Sequence, residues 1–196
     1  MTFDTQRIIS LLLRMMGAVS LLLGAISPIF GVPAWATNEY VSLTGQGMSN
    51  SKQTSSIPSN FSTYKSDQLS VRYPDDWQVT FQDEYGVALV SAQDTIRTDI
   101  VLVRENPDVL VPQRLEQIVS EAVAVRRYSL VTIDGQSGFR MWYESDANQW
   151  TLVTFIGYED QQTVVLTSEY VPDVNIEAVA MAVHDSFINR ASAESN

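Results

Sequence analysis

The fold class is decided by residues 128–170, which read YSLVTIDGQSGFRMWYESDANQWTLVTFIGYEDQQTVVLTSEY. Apolar and polar residues alternate along much of this stretch, which is typical of half-buried β-strands. Polar turns at 134–135, 146–148 and 159–160 interrupt the alternation, and Asp-Gly is a strong signal for a tight hairpin. Hairpins join antiparallel strands. The stretch therefore predicts antiparallel strands at Tyr128 to Ile133, Gly138 to Tyr143, Trp150 to Tyr158 and Thr163 to Tyr170.

Strand patterns also precede this stretch. Short runs separated by turn residues predict strands at Leu69 to Tyr73, Trp77 to Phe81 and Tyr85 to Val90. The run from Ile100 to Val103 is apolar without alternation. Because strands buried on both sides read as continuous apolar runs, we expect this one to be central and covered on both faces.

Two segments have the period of a helix instead. In the first, Pro112 opens a helix, and a set of apolar residues then repeats at helical spacing: Leu115, Ile118, Val119, Ala122 and Val123. The second follows Pro172, with Asp173 as its N-cap and an apolar face formed by Ile176, Val179, Val183 and Phe187. This order of strands, helix, strands and helix predicts an α+β fold, in which helices flank a mostly antiparallel sheet.

The first 36 residues have the layout of a secretory signal. Arg7 and Arg14 precede a stretch without charge, from Met15 to Val32, and the segment ends at Ala34-Trp35-Ala36. A basic start, an apolar centre and an A-x-A site are typical of a cleaved export signal, and an uncleaved anchor is the alternative. We predict a flexible polar linker at residues 37–60, the folded domain at 61–190 and a polar tail at 191–196.

Composition narrows the possible functions. The formal net charge is −11 and there is no cysteine, so the chain cannot carry a lipid on an N-terminal cysteine. Nucleic-acid binding needs clustered cations, and Arg126-Arg127 is the only adjacent basic pair. We therefore expect a protein that is not a lipoprotein and does not bind nucleic acid. With the N-terminal segment, we expect it to be exported, and we expect it to be monomeric.

The domain resembles the PsbP-like family, the extrinsic proteins on the lumenal side of photosystem II and their relatives. The resemblance begins at Tyr73-Pro74-Asp75-Asp76-Trp77 and continues through 99–103, 139–143, 150–158 and 176–187. It implies an α/β/α sandwich and a non-enzymatic accessory or assembly protein of photosystem II, peripheral to the membrane in the thylakoid lumen or periplasm. The absence of a lipid-bearing cysteine departs from many cyanobacterial relatives and favours a divergent paralogue.

Other functions remain open at the level of the sequence. One fold serves many functions, so the alternative is an exported binding or stress-related protein with no photosynthetic role. An enzyme ranks third, because no catalytic motif occurs and nucleophilic catalysis needs a base beside a nucleophile.

Titratable residues offer a few candidate metal ligands. The acidic turns Asp75-Asp76 and Glu159-Asp160 each supply one or two oxygens, whereas calcium needs several that converge. His184, on the closing helix, is a structural or surface residue, or else a metal ligand or a pH-sensitive contact. The resemblance implies calcium retention at the oxygen-evolving complex but locates no site, and no other cofactor is expected.

Aromatic residues are the candidate partner surface. Trp142, Tyr143 and Trp150 lie around one predicted hairpin. Neighbours in a strand point to opposite faces, so Trp142 and Tyr143 cannot both face one core. They either pack in the core or form an anchoring patch for a protein partner, since Trp and Tyr dominate interface hot spots.

Overall fold

The computed structural model describes residues 60–158 and 161–191. The predicted export signal, nearly all of the linker and all but the first residue of the tail lie outside these residues, as do Glu159 and Asp160. In chain order the elements are β1 (Phe61–Lys65), β2 (Leu69–Pro74), β3 (Trp77–Gln82), β4 (Gly86–Ser91), β5 (Ile96–Val103), α1 (Pro107–Glu121), β6 (Ala124–Ile133), β7 (Gln136–Asp146), β8 (Gln149–Tyr158), β9 (Gln162–Tyr170), α2 (Val174–Asp185) and β10 (Ile188–Asn189). Neither helix of the described ranges is long and apolar enough to cross a membrane.

The strands form two sheets. The larger has the order β3-β4-β5-β9-β8-β7-β6 and the smaller the order β1-β2-β10, and all neighbouring strands are antiparallel. With two helices packed against the sheets, the predicted α+β fold is confirmed.

The two faces of the large sheet are covered by different elements. One face, here the α2 face, carries Leu152 and Leu166 and packs against α2 and the small sheet in the main core. The opposite face, here the α1 face, carries Val153 and Phe155, which pack with Leu115 of α1 in a second, smaller core. The domain is therefore layered on both sides of the sheet.

The hairpin between β6 and β7 has the predicted tight turn. Ile133 pairs with Gln136, so only Asp134 and Gly135 form the loop. Both have positive φ, 52° and 70°, as a two-residue type I′ turn requires. The Asp-Gly pair therefore sets the register of the β6–β7 hairpin.

Helix α1 begins earlier than the apolar spacing predicts. It starts at Pro107 rather than Pro112, because the side chain of Asn106 caps it by accepting from the Asp108 amide at 2.8 Å. Pro112 lies inside the helix, where it removes one backbone donor. The predicted apolar face also ends early, since Val123 follows the helix and is 65% exposed.

Strand β5 differs from the prediction on one face. Its residues alternate between buried and more exposed, and Val101 is 44% exposed. The expectation of cover on both faces was wrong, because α1 packs over β8 and part of β9 and leaves β5 open on this face.

Two short strands were not predicted. Strand β1 pairs with β2, and β10 adds to the other edge of β2 through Ile188 and Asn189. The chain ends of the domain thus meet in the small sheet, which only long-range pairing creates. Phe187, predicted on the face of α2, follows the end of that helix but is fully buried.

Candidate functional site

The single histidine is part of a buried chain of hydrogen bonds beneath α2. His184 is fully buried, with Nδ1 2.9 Å from the Thr154 hydroxyl and Nε2 2.9 Å from the Ser168 hydroxyl. The chain continues from Ser168 to the Thr98 hydroxyl at 2.6 Å, and Arg140 Nε donates to Thr154 at 3.0 Å. It joins β5, β7, β8 and β9 to α2 through buried polar groups that all have partners.

Electrostatics keeps the imidazole of this chain neutral. Burial, and after it the positive charge of Arg140, lowers the pKa of His184 well below its ordinary value. A neutral imidazole donates from one nitrogen and accepts at the other, which matches its two hydroxyl partners. Arg140 itself is 4% exposed and donates to Asp185 at 2.5 Å. The arrangement favours the structural role for His184 over the metal-ligand and pH-contact alternatives.

Ser168 and His184 have the spacing of a nucleophile and its base, but neither is accessible. Both side chains are 0% exposed, beneath α2 in the core of the domain. A substrate would have to reach the hydroxyl before the imidazole could activate it. The pair therefore contributes to the polar core rather than to a surface site.

Of the acidic candidates, the structure describes only Asp75 and Asp76. Asp75 and Asp76 are exposed in the turn between β2 and β3, where Asp75 accepts a hydrogen bond from Ser62 at 2.6 Å. Across the described ranges, 60–158 and 161–191, no group of three or more His, Cys, Asp or Glu side chains could hold a metal ion. Calcium remains an expectation that the resemblance implies.

The aromatic candidates do not form one patch. Trp142 is 6% exposed on the α2 face, with the guanidinium of Arg127 4.1 Å above its ring and no hydrogen-bond partner for Nε1. Arg127 is in turn ion-paired with Glu177 of α2. These contacts tie Trp142 to the core and to α2.

The other two aromatic candidates lie in different surroundings. Trp150 is half-buried. The guanidinium of Arg126 lies 5.0 Å from the centre of its ring, and Tyr170 makes a T-shaped contact with it. Tyr143 is half-buried on the α1 face, and burial raises the pKa of its phenol. Tyr143 is therefore the candidate that borders an open surface.

The open surface beside Tyr143 is a groove on the α1 face. Its volume is 440 Å³, and its apolar wall is formed by residues from β5, β8, β9 and α1: Val101, Val103, Val153, Phe155, Val165 and Ile118. We call it the α1 groove. Volumes of this order and apolar walls are usual for ligand and peptide sites. Sequence reasoning missed it because the apolar run in β5 predicts cover on both faces.

Polar side chains of α1 form the rim of the α1 groove. Arg114 donates to the Gln117 side chain at 3.1 Å, and Gln117 donates to Glu121 at 3.2 Å. The guanidinium of Arg114 thus contacts a neutral amide, and its charge is available to an anionic group in the groove. The rim can supply one cation and one carboxylate beside an apolar floor.

Comparison with known proteins bears on the fold. No protein-family model matches the sequence, and no curated protein matches it. Cyanobacterial PsbP from Synechocystis matches in structure with a TM-score of 0.50 and 10% identity, over 73% of this chain and 98% of that chain. The Ran-binding protein Mog1p from Saccharomyces cerevisiae matches in structure with a TM-score of 0.48 and 8% identity, over 68% of this chain and 97% of that chain.

The structural match defines the class of fold. The domain is an α+β sandwich with the fold of cyanobacterial PsbP. At 10% identity the likeness extends to the fold alone, and function has to be argued from the surface of this chain.

Proposed function

We propose that this protein is an exported, non-enzymatic accessory protein that docks on a membrane protein complex through the α1 groove. The groove carries the proposal, because it leaves apolar side chains of a rigid sheet in an open depression of 440 Å³. Exposed apolar surface of this kind favours a protein partner that covers it. The net charge of −11 favours a partner with basic side chains around its apolar anchor.

The proposed partner is photosystem II or one of its assembly intermediates. The fold likeness to cyanobacterial PsbP supports this choice, as does the signal-like N-terminal segment ending at Ala34-Trp35-Ala36. The proposed location is the thylakoid lumen or periplasm, peripheral to the membrane. A contribution to calcium retention would then come from the docked complex rather than from an ion held by this chain alone.

Native co-migration with membrane complexes of the source cell tests the proposal. The tagged full chain should co-migrate with a large complex, and high salt should release it because exposed charge contacts are screened. Val101→Arg places a charge on the 44% exposed wall of the groove and should abolish co-migration.

A matched control separates docking from folding. Val174→Arg introduces the same charge at a 79% exposed valine at the start of α2 and should leave co-migration intact. A free chain at every salt concentration, or equal behaviour of the two variants, would remove the α1 groove from the docking surface.

A second candidate is an exported binding protein for a small amphipathic anion. The observation that favours it is Arg114, whose guanidinium lies at the rim of an apolar groove and donates to the neutral side-chain amide of Gln117. Laurate, used as the probe, should then raise the midpoint of thermal unfolding, and Arg114→Gln should reduce that shift. An unchanged midpoint with laurate would exclude this candidate for single-chain fatty acids.

A further inference from the structure

Strand β6 forms an open edge of the large sheet. Among the described residues, no strand pairs with its outer side. Tyr128 and Leu130 are 43% and 57% exposed on the α1 face, although both are large apolar residues. A long, apolar, uncovered edge strand readily pairs with another strand.

The hairpin turn determines which backbone groups of β6 are free. Because Ile133 and Gln136 flank a two-residue loop, they exchange both backbone hydrogen bonds, and every second residue of β6 does the same with β7. The residues between them, Tyr128, Leu130 and Thr132, direct their N–H and C=O groups outward. The register shift of β6 lies earlier, between Val125 and Arg127, so this segment is regular.

In place of the monomer expected from the sequence, we propose that two copies of this chain pair edge to edge through β6, antiparallel, with Leu130 opposite Leu130 of the second copy. In this register Tyr128 faces Thr132 of the second copy, and each facing pair exchanges both N–H···O bonds. The outward backbone groups are thus satisfied, and the exposed Tyr128 and Leu130 side chains form one apolar cluster across the two-fold axis.

The position of the charges at the ends of β6 suits a second copy as the occupant. The antiparallel register brings Arg126, near the start of β6, toward Asp134 in the turn after β6 of the second copy. Within its own chain Arg126 is paired with Glu144, and Asp134 accepts from the Tyr158 hydroxyl and the Asn189 amide, so the match is one of sign at the ends of the strand pair. Opposite charges approach at both ends of the strand pair, and no like charges face each other along 128–132. Because the interface is self-complementary, association closes at two copies.

The opposite edge of the sheet is less suited to pairing. Strand β3 has six residues against ten in β6, and its register shifts within the strand between Val79 and Phe81. Such bulges twist an edge away from regular pairing. Phe81 is 56% exposed, nearly as much as Leu130, and so offers a matched control position.

Disulfide trapping in the full chain tests the proposal, because the natural sequence has no cysteine. Leu130→Cys should give a band of twice the chain mass on non-reducing electrophoresis after mild oxidation. The Cα atoms of a hydrogen-bonded pair are about 5.5 Å apart, within disulfide range. Cross-linking within a pair should exceed random collision on the order of 100-fold or more.

Phe81→Cys should remain a single chain under the same conditions. Thr132→Cys alone should cross-link poorly, whereas a chain that carries both Thr132→Cys and Tyr128→Cys should cross-link efficiently, because each position faces the other in the second copy. A Leu130→Cys chain that does not cross-link, or that cross-links no faster than Phe81→Cys, would overturn the proposal. Because the docking proposal concerns the α1 groove, loss of pairing would leave co-migration unaffected. The two proposals can therefore fail separately.

Discussion

The two faces of the large sheet are made of similar β-branched and aromatic residues, yet they differ in cover. On the α2 face, helix α2 and the small sheet close the core, and the polar chain around His184 is satisfied within it. On the α1 face, helix α1 packs over β8 and part of β9 and leaves the α1 groove open toward β5. The closed face therefore carries stability, and the open face is available for binding.

Truncation of one side chain on each face should give the largest contrast. Leu152→Ala, on the closed face, removes a fully buried side chain and should lower the free energy of unfolding by about 2–5 kcal/mol, through lost burial and a cavity. Val101→Ala, on the open face, should cost less than about 1 kcal/mol, mainly through β-propensity. Urea unfolding of both variants measures the difference, and equal losses would mean that the groove is covered in solution.

Titration of His184 should give an intermediate effect that belongs to the closed face alone. Its pKa is lowered in the folded state, so below pH about 6.5 the unfolded chain binds a proton that the folded chain excludes. Stability should therefore fall as the pH drops below about 6.5, by up to about 1.4 kcal/mol per unit, until the pH reaches the folded-state pKa.

Urea unfolding between pH 7.5 and 5 measures this slope before carboxylates begin to titrate. His184→Gln removes the titrating group and should flatten the curve while lowering stability at pH 7.5. A wild-type slope that persists in His184→Gln would assign the effect to other groups.

The smallest effect should come from an ion pair on the open face. Arg97 and Asp99 lie 2.9 Å apart on β5, with side chains 54% and 37% exposed. Arg97→Gln should lower stability by less than about 1 kcal/mol, because exposed pairs gain little and salt screens them. The difference from wild type should shrink in 1 M salt, and a larger, salt-independent loss would show that this pair supports the fold.

Much of the fold could be predicted from local patterns. Alternation and turn residues locate seven of the ten strands in the described residues, and the apolar run at 100–103 locates an eighth. Asp134-Gly135 sets the β6–β7 hairpin, and Asp173 caps α2 by accepting from the amides of Asn175 and Ile176. These features depend on neighbours in sequence, which is why they could be predicted. The start of α1 was predicted wrongly because the prediction placed the first turn at Pro112 and did not consider Asn106 as an N-cap.

The candidate site was harder to predict. Strand alternation predicts that Trp142 and Tyr143 lie on opposite faces, but it does not show that Trp142 and Trp150 pack with the main core while Tyr143 borders the α1 groove. The α1 groove depends on how far α1 extends over the sheet, and the open edge of β6 depends on the strand order, in which β5 pairs with β9 across the chain. Neither property is visible in a window of sequence.

The sequence by itself determined the element types, the antiparallel hairpins, the acidic charge and the signal-like start, because each follows from residues that are neighbours along the chain. Only the tertiary structure decided that His184 is buried between two hydroxyls, that Val101 is exposed and that no strand within residues 60–158 and 161–191 pairs with the outer side of β6. The physical reason is that burial and cover depend on which distant segments pack together, and the same apolar strand can lie under a helix or face an open groove.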